Sequence, residues 1–263
     1  VEIYPEKSSI TGNNVYCCTS NHHSSHGRIV QCLTCALTYT NPQPPPKTIL
    51  GKYSDVEDRQ YLENISARVK TFDYNFSKVI KYLPSAGRLL DVGSYCGMFL
   101  SVAKDKGYKV TGIEPSKWAS KYANETMGVE TFTGTIQDLP KETASFDIVT
   151  SWDVLEHFTD PLRELIKMNE KLKQGGILAF STLNIKNWFP RVMKENWPWL
   201  MDMHLYYFEE EVINDMLGKS GFKLLLVDKY CHFITLDYFL VKLSSLGIPG
   251  ISFVRSLIPN KLL

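Results

Sequence analysis

The stretch "RLLDVGSYCGMFLSVAKDKGYKVTGIEPS", residues 88–116, constrains what this chain can fold into more than any other. A short apolar run ends in Asp91, a loop with Gly93 and Gly97 follows, then a helix-period stretch, and a second apolar run ends at Glu114. The alternation continues downstream. "VETFTG", "FDIVTSW", "GILAFST" and "FKLLLVD" are β-rich, as are "RLLDV" and "YKVTGIE" before them. Helix-like spacing fills the gaps around 96–106, 116–125, 160–172 and 209–219, and Asp160-Pro161 is a strong helix start. Strands alternating with helices of this length predict an α/β fold, a parallel sheet covered on both faces.

Strand, glycine loop, helix, strand, acid is the order that holds an adenine nucleoside at the carboxyl ends of parallel strands. A dinucleotide loop cradles a pyrophosphate and needs bare backbone at three glycines. Here Tyr95 occupies the middle position. A cofactor without phosphate asks less of the loop. Asp91 can accept from an ammonium, directly or through water, and Glu114 can take both ribose hydroxyls. S-adenosylmethionine meets this description better than NAD does.

At this point the chain resembles the class I S-adenosylmethionine-dependent methyltransferases, over roughly 85–230. "LLDVGSYCGMFL" and "VTGIEPS" resemble the first two motifs of that family. "GTIQDLP" resembles the stretch flanking adenine, "FDIVTSWDVLEHFTDP" the fourth-strand motif, and "LKQGGILAFST" the lead into the fifth strand. The resemblance implies a Rossmann-like sheet with helices on both faces. It implies a cofactor site built from Asp91, Gly93, Tyr95, Gly97, Glu114, Thr135, Ile136 and Trp152. Thr135 stands where the family commonly has an acid for the adenine amino group, so its hydroxyl is expected to accept that bond, with the Ile136 amide serving a ring nitrogen. The family usually closes its sheet with an antiparallel strand. After "FKLLLVD" the pattern shows none, so either the tail supplies it or the chain stops short of it.

Residues 1–47 form a different unit, ending in the proline-rich "NPQPPP". Four of the six cysteines crowd here, at 17, 18, 32 and 35, a distribution that suits a metal site in a reducing compartment. Cys32-x-x-Cys35 is the spacing that lets two thiolates share one zinc. "CCTSNHHSSHGRIVQCLTCALTYTNPQP" resembles the zinc ribbon that precedes some bacterial methyltransferases associated with sugar and glycan modification. That family would place a second C-x-x-C a dozen residues earlier; this chain has Cys17 and Cys18 side by side, with His22, His23 and His26 nearby. Cys18 is the best-spaced third ligand, and Cys17 or His22 the fourth. Such a zinc is structural, since no position remains for water.

Four segments are expected: 1–47, the zinc-ribbon-like unit and linker; 48–84, a helical lead-in; 85–230, the cofactor-binding domain with an insertion at about 184–208; and 231–263, a helical extension. A base near the carboxyl end of the fourth strand is needed if a hydroxyl is to be methylated. His157 in "WDVLEHF" and His204 in "NWPWLMDMHLYYF" are the candidates, with Asp153 as base or cofactor contact and Glu156 as a tie between loops. Trp188, Trp197, Trp199, Tyr206 and Tyr207 surround His204 in sequence and form either a substrate wall or core. The expected activity is O-methylation of a sugar or glycan hydroxyl. Its alternatives are a phenolic, quinone-like or lipid acceptor, and a non-catalytic cofactor-binding module. The net charge of +1 argues against nucleic acid as substrate. A polar N-terminus without a signal-peptide core points to the cytoplasm. The tail at 235–263 packs as helix on the domain or, as the alternative, lies on a membrane surface with Lys242 and Arg255 at its margin.

Overall fold

The computed structural model describes residues 1–7, 16, 19, 25–54, 56–140 and 145–245. Cys17, Cys18, His22, His23 and the tail beyond 245 lie outside the described residues.

The domain is built on five parallel strands: β4 (Arg88–Val92), β5 (Lys109–Glu114), β6 (Thr131–Thr133), β7 (Phe146–Trp152) and β8 (Leu172–Ser181), in the order β6-β5-β4-β7-β8. The chain leaves β4 toward β5 and β6, then crosses back to β7 on the other side. The carboxyl ends of β4 and β7 therefore flank the point where strand order reverses, which is where open α/β sheets bind ligands. One face of the sheet is covered by α3 (Ile65–Ile80) and α4 (Met98–Asp105), whose Phe76, Phe99 and Leu100 pack on Leu89 and Ile148. The other is covered by α6 (Pro161–Lys171) and α8 (Glu210–Lys219), whose Leu165, Met168, Val212 and Met216 pack on Leu90 and Val149. The start of α6 follows its sequence signal: the Asp160 carboxylate accepts from the Arg163 amide at 3.0 Å, with Pro161 in the first turn. Helix α5 (Lys117–Glu125) is capped by the Ser116 hydroxyl, which accepts from the Ala119 amide.

The predicted lead-in is three helices, α1 (Pro46–Ser54), α2 (Arg59–Leu62) and α3. The last proline of "NPQPPP" thus opens a helix instead of extending a linker, as its fixed φ and missing donor allow. The N-terminal unit is not detached. Strands β1 (Glu2–Tyr4), β2 (Ile29–Gln31) and β3 (Thr38–Thr40) make an antiparallel sheet whose fourth strand, β9 (Tyr206–Tyr207), comes from the insertion that follows β8. That insertion also contains the short helix α7 (Trp188–Met193).

One predicted strand is absent. "FKLLLVD" forms no ladder, and β8 remains an edge among the described residues. Leu225, Leu226 and Val227 are exposed. Beyond them the chain crosses α3 in extended form, and its backbone bonds to side chains of that helix instead of to a strand. β-rich composition reports a tolerance for extended backbone; whether a ladder forms depends on which partner the chain meets. The described start of the C-terminal extension is helical, α9 (Leu236–Ser245).

Gly97, which begins α4, has φ +77, and a Cβ built there would stand 2.7 Å from Val129 Cγ2 and 2.9 Å from Ala123 Cβ. Gly97→Ala is expected to destabilise the fold by about 2–3 kcal/mol, combining left-handed strain with a clash in a packed core, as read by equilibrium denaturation.

Candidate active site

The glycine loop between β4 and α4 has left-handed backbone at three alternate positions: Gly93 at φ 78, Tyr95 at φ 45 and Gly97 at φ 77. Tyr95 therefore adopts the conformation a glycine would take there, at a cost of about 1–2 kcal/mol. Its ring is held by edge contacts with Tyr61 (centroids 4.5 Å apart) and Trp118 (6.3 Å). The apparent fault in the motif is a side chain added to an unchanged loop. At Gly93 a Cβ would meet Val154 Cγ2 at 2.6 Å, so the loop lies tight against the end of β7.

Two acids end β4 and β5 in the protein interior. Asp91 is 2% exposed and accepts from the Thr150 hydroxyl at 2.6 Å. Among the described residues no cation pairs with it, and burial, with Glu114 nearby, pushes its carboxyl up to about 8. Glu114 is 5% exposed and accepts from the Tyr95 amide at 2.9 Å through Oε2 and the Ser116 amide at 2.8 Å through Oε1. Burial outweighs those two bonds and raises it to about 7. Each oxygen keeps lone-pair capacity for a hydroxyl donor.

Thr135 and Asp138 close a capping box around the short turn Ile136–Asp138. The Thr135 amide and hydroxyl both donate to Asp138 Oδ2 at 2.7 Å, which holds that carboxylate below its usual range. Asp138 is exposed and is turned back onto Thr135. Ile136 is buried beneath. Trp152, at the end of β7, packs against Phe99 at 5.1 Å.

Past β7 the backbone turns through Asp153 at φ 54, and Asp153 Oδ1 accepts from the Ser181 hydroxyl at 2.6 Å. His157 follows in a single turn, Leu155–His157. Its Nδ1 lies 2.9 Å from the Met203 carbonyl and 2.8 Å from the Tyr53 hydroxyl. A carbonyl only accepts, so the ring proton sits on Nδ1. Burial lowers the pKa of His157, opposed by the Met203 carbonyl and by Asp153. His204 stacks edge-on against it, centroids 4.8 Å apart, with Nδ1 2.7 Å from the Trp199 carbonyl. Burial, and then His157, press His204 down to about 3. Glu156, 1% exposed, accepts from the Thr182 hydroxyl at 2.7 Å, and burial with Asp153 raises it to about 8.

The structure thus brings the two histidines, predicted from separate segments, into contact. The N-terminal unit helps hold them, since the Thr40 amide donates to the Leu205 carbonyl at 2.9 Å and the Thr40 hydroxyl to the His204 carbonyl at 3.2 Å. The aromatic cluster divides. Trp197 and Tyr207 are core, packed with Ile29 and Leu200, while Trp188 and Trp199 are exposed at 69% and 43%. Tyr53 was not a sequence candidate; it lies 104 residues from His157, and no local pattern links the two.

Cys32 and Cys35 share one turn. The amides of Cys35 and Thr34 point at the Cys32 sulfur and lower its thiol to about 7. Ala36 takes φ 57 where the turn closes, and its amide donates to the Cys32 carbonyl.

S-adenosylmethionine fits the loop and its acids. A buried carboxyl kept protonated for want of a cation is a receptor for an ammonium, and a second buried acid with spare lone pairs suits a ribose. The same acids set a pH dependence. Between the ordinary carboxylate range near 4 and their raised values, the unfolded chain is ionised while the folded chain keeps its protons. The folded state then binds more protons, so stability falls as pH rises. We expect the melting temperature without cofactor to drop from about pH 5 to about pH 8, and Asp91→Asn to flatten part of that slope in a thermal scan.

The comparisons with known proteins agree with this geometry. The profile of a family described as a methyltransferase domain matches residues 61–227. The chain is similar to a ubiquinone biosynthesis O-methyltransferase of Actinobacillus pleuropneumoniae serotype 5b (strain L20), 36% identical over 107 residues, covering 37% of this chain and 46% of that protein. Another of that name, from Coxiella burnetii (strain Dugway 5J108-111), is 28% identical over 148 residues, 52% of this chain and 62% of its own length. The chain spans about half the length of the curated relatives it matches. Its fold is similar to that of the YcgJ protein of Bacillus subtilis, with a TM-score of 0.51 at 18% identity, covering 72% of this chain and 86% of that one. With the cofactor loop, its paired acids and the matched profile in agreement, the chain belongs to the class I S-adenosylmethionine-dependent methyltransferases.

Proposed function

We propose that this chain methylates a hydroxyl oxygen on a small phenolic or quinol-like molecule. The observation that carries the reading is His157: a partly buried imidazole one turn past β7, its Nδ1 proton fixed by the Met203 carbonyl. When bound, the cofactor supplies an electrophilic methyl group on sulfur. Asp91 would hold its ammonium and Glu114 its ribose, with the Thr135–Asp138 turn beside the adenine. His157 takes the acceptor's hydroxyl proton as the oxygen becomes a nucleophile, and then releases that proton to solvent. His204, pressed down to about 3, stays neutral behind it and does not compete for the proton.

The lowered basicity of His157 bears on the acceptor. A weak base serves a phenol, with a pKa of about 10, better than it serves a less acidic aliphatic hydroxyl. The curated relatives, named for O-methylation in ubiquinone biosynthesis, support the same class. A sugar or glycan hydroxyl is the second reading, favoured by the exposed indoles of Trp188 and Trp199, which offer faces for a sugar ring.

The test is transfer of labelled methyl to two acceptor panels, catechols and hydroquinones against sugars and nucleotide sugars. Product in the first panel is expected. Product only in the second transfers the assignment to sugars, and cofactor binding without product in any fraction would favour a binding module. His157→Ala is expected to lower kcat by about 10²–10⁴-fold while cofactor affinity stays within about twofold.

We also propose a structural zinc in the N-terminal unit. Cys32 and Cys35 supply two of its thiolates, with Cys18 and either Cys17 or His22 as the remaining ligands. The C-x-x-C spacing of Cys32 and Cys35 across one turn, closed by the Ala36 amide on the Cys32 carbonyl, is what supports it. Purified protein should carry close to one equivalent of zinc by elemental analysis, and Cys32→Ser should lose most of it.

A further inference from the structure

Just past the stretch predicted as a sixth strand, residues 228–235 run back across α3 as an extended strap. Its anchorage is specific. Lys78 Nζ donates to the Lys229 carbonyl at 2.6 Å. Asn75 bonds both backbone groups of Cys231: its Nδ2 donates to the carbonyl at 2.8 Å, and its Oδ1 accepts from the amide at 3.0 Å. The Phe233 amide donates to the Thr71 hydroxyl at 2.8 Å, and the Thr235 hydroxyl to Asn64 at 2.8 Å. The amide side chain of Asn75 thus does for Cys231 what a neighbouring strand would do. Thr71 and Asn75 are among the few polar side chains buried on α3.

Every second residue of an extended chain faces the same way. With Cys231 and Phe233 bonded to α3, Tyr230 and His232 are set side by side, rings 4.9 Å apart. Both lie at the carboxyl end of β7. The Tyr230 ring packs on Trp152 at 5.8 Å, tilted 33°. His232 Nε2 is 3.9 Å from Asp153 Oδ2.

We propose that Tyr230 is a cofactor-binding residue whose hydroxyl donates to the carboxylate of the cofactor's amino-acid tail, and that the strap holds it in place. This rests on the cofactor reading given above. The tail is a zwitterion. Asp91 answers its ammonium, and a hydroxyl donor on the strap, beside Trp152 and Asp153, can answer its carboxylate. Tyr230 is such a donor. Burial, and then the neighbouring Asp153, push its phenol up, which keeps it protonated and able to donate. A phenolic hydroxyl satisfies the carboxylate without adding a cation that would compete with the ammonium for Asp91.

Two ligands separate this role from general stability. S-adenosylhomocysteine carries the amino-acid tail; 5′-methylthioadenosine carries the adenosine and thioether without it. Calorimetric titration of the full chain with each ligand is expected to show Tyr230→Phe weakening S-adenosylhomocysteine by about tenfold and leaving methylthioadenosine within about twofold. Asn75→Ala, which frees the strap, should shift the ratio of the two affinities the same way, and a ratio does not depend on the fraction of protein folded. Equal loss for both ligands, or loss for neither, overturns the proposal. Tighter S-adenosylhomocysteine binding by Tyr230→Phe or Tyr230→Ala also overturns it, since the ring would then be a plug and not a ligand. Wild-type protein that binds neither ligand overturns the cofactor reading itself, and this inference with it.

Discussion

The structure depends on two carboxyls buried side by side with no cation beside them among the described residues. Asp91 and Glu114 lie at the carboxyl ends of adjacent parallel strands, with Asp91 paired to Gly112, two residues before Glu114. Burying an unpaired carboxylate is costly, and both groups respond by holding their protons. A fold optimised only for stability would place apolar side chains at these positions. What the two acids gain is a prepared site: a hydroxyl partner on one, two amide partners on the other, and a loop turned left-handed at three positions so that its backbone passes close beside them.

The surroundings of that site come from distant parts of the chain. Strand β7 contributes Trp152 and the sharp turn at Asp153, which sends the backbone toward His157. The insertion after β8 contributes His204 and the Met203 carbonyl that orients His157. The N-terminal sheet takes up β9 from the same insertion, so the cysteine-bearing unit and the histidine pair share one framework. Substitutions in β3 would therefore reach the base through Thr40 and the backbone around His204. Helix α3 serves two ends at once, with apolar Phe76 and Phe72 toward α4 and polar Thr71 and Asn75 toward the strap.

Much of the site was legible in order along the chain. Asp91 and Glu114 each close a short apolar run, and Gly93 and Gly97 bracket the loop that opens the next helix. Tyr95 was legible as a departure but not as a harmless one, because only the backbone shows that it takes the glycine conformation. Thr135 was similar: the sequence showed a threonine where an acid was expected, and the fold showed its amide and hydroxyl both engaged by Asp138. The buried polar residues Thr71 and Asn75 carried a signal that periodicity passes over, since a polar side chain on the covered face of a helix has to find a partner.

What the sequence by itself determined is the local and periodic part: strands alternating with helices, caps such as Asp160, and acids at strand ends. These follow from backbone sterics and from the burial of apolar faces, which act over a few residues. What only the tertiary structure decided is which long-range partners meet. "FKLLLVD" is compatible with a strand, yet residues beyond it bond to α3 because Asn75 and Thr71 offer the backbone an alternative to a ladder. His157 and His204 lie 47 residues apart with nothing local to join them, and become a contacting pair only because the insertion folds back against the N-terminal sheet. Contacts of that kind depend on how surfaces fit after the elements have formed, and no window of sequence contains both surfaces.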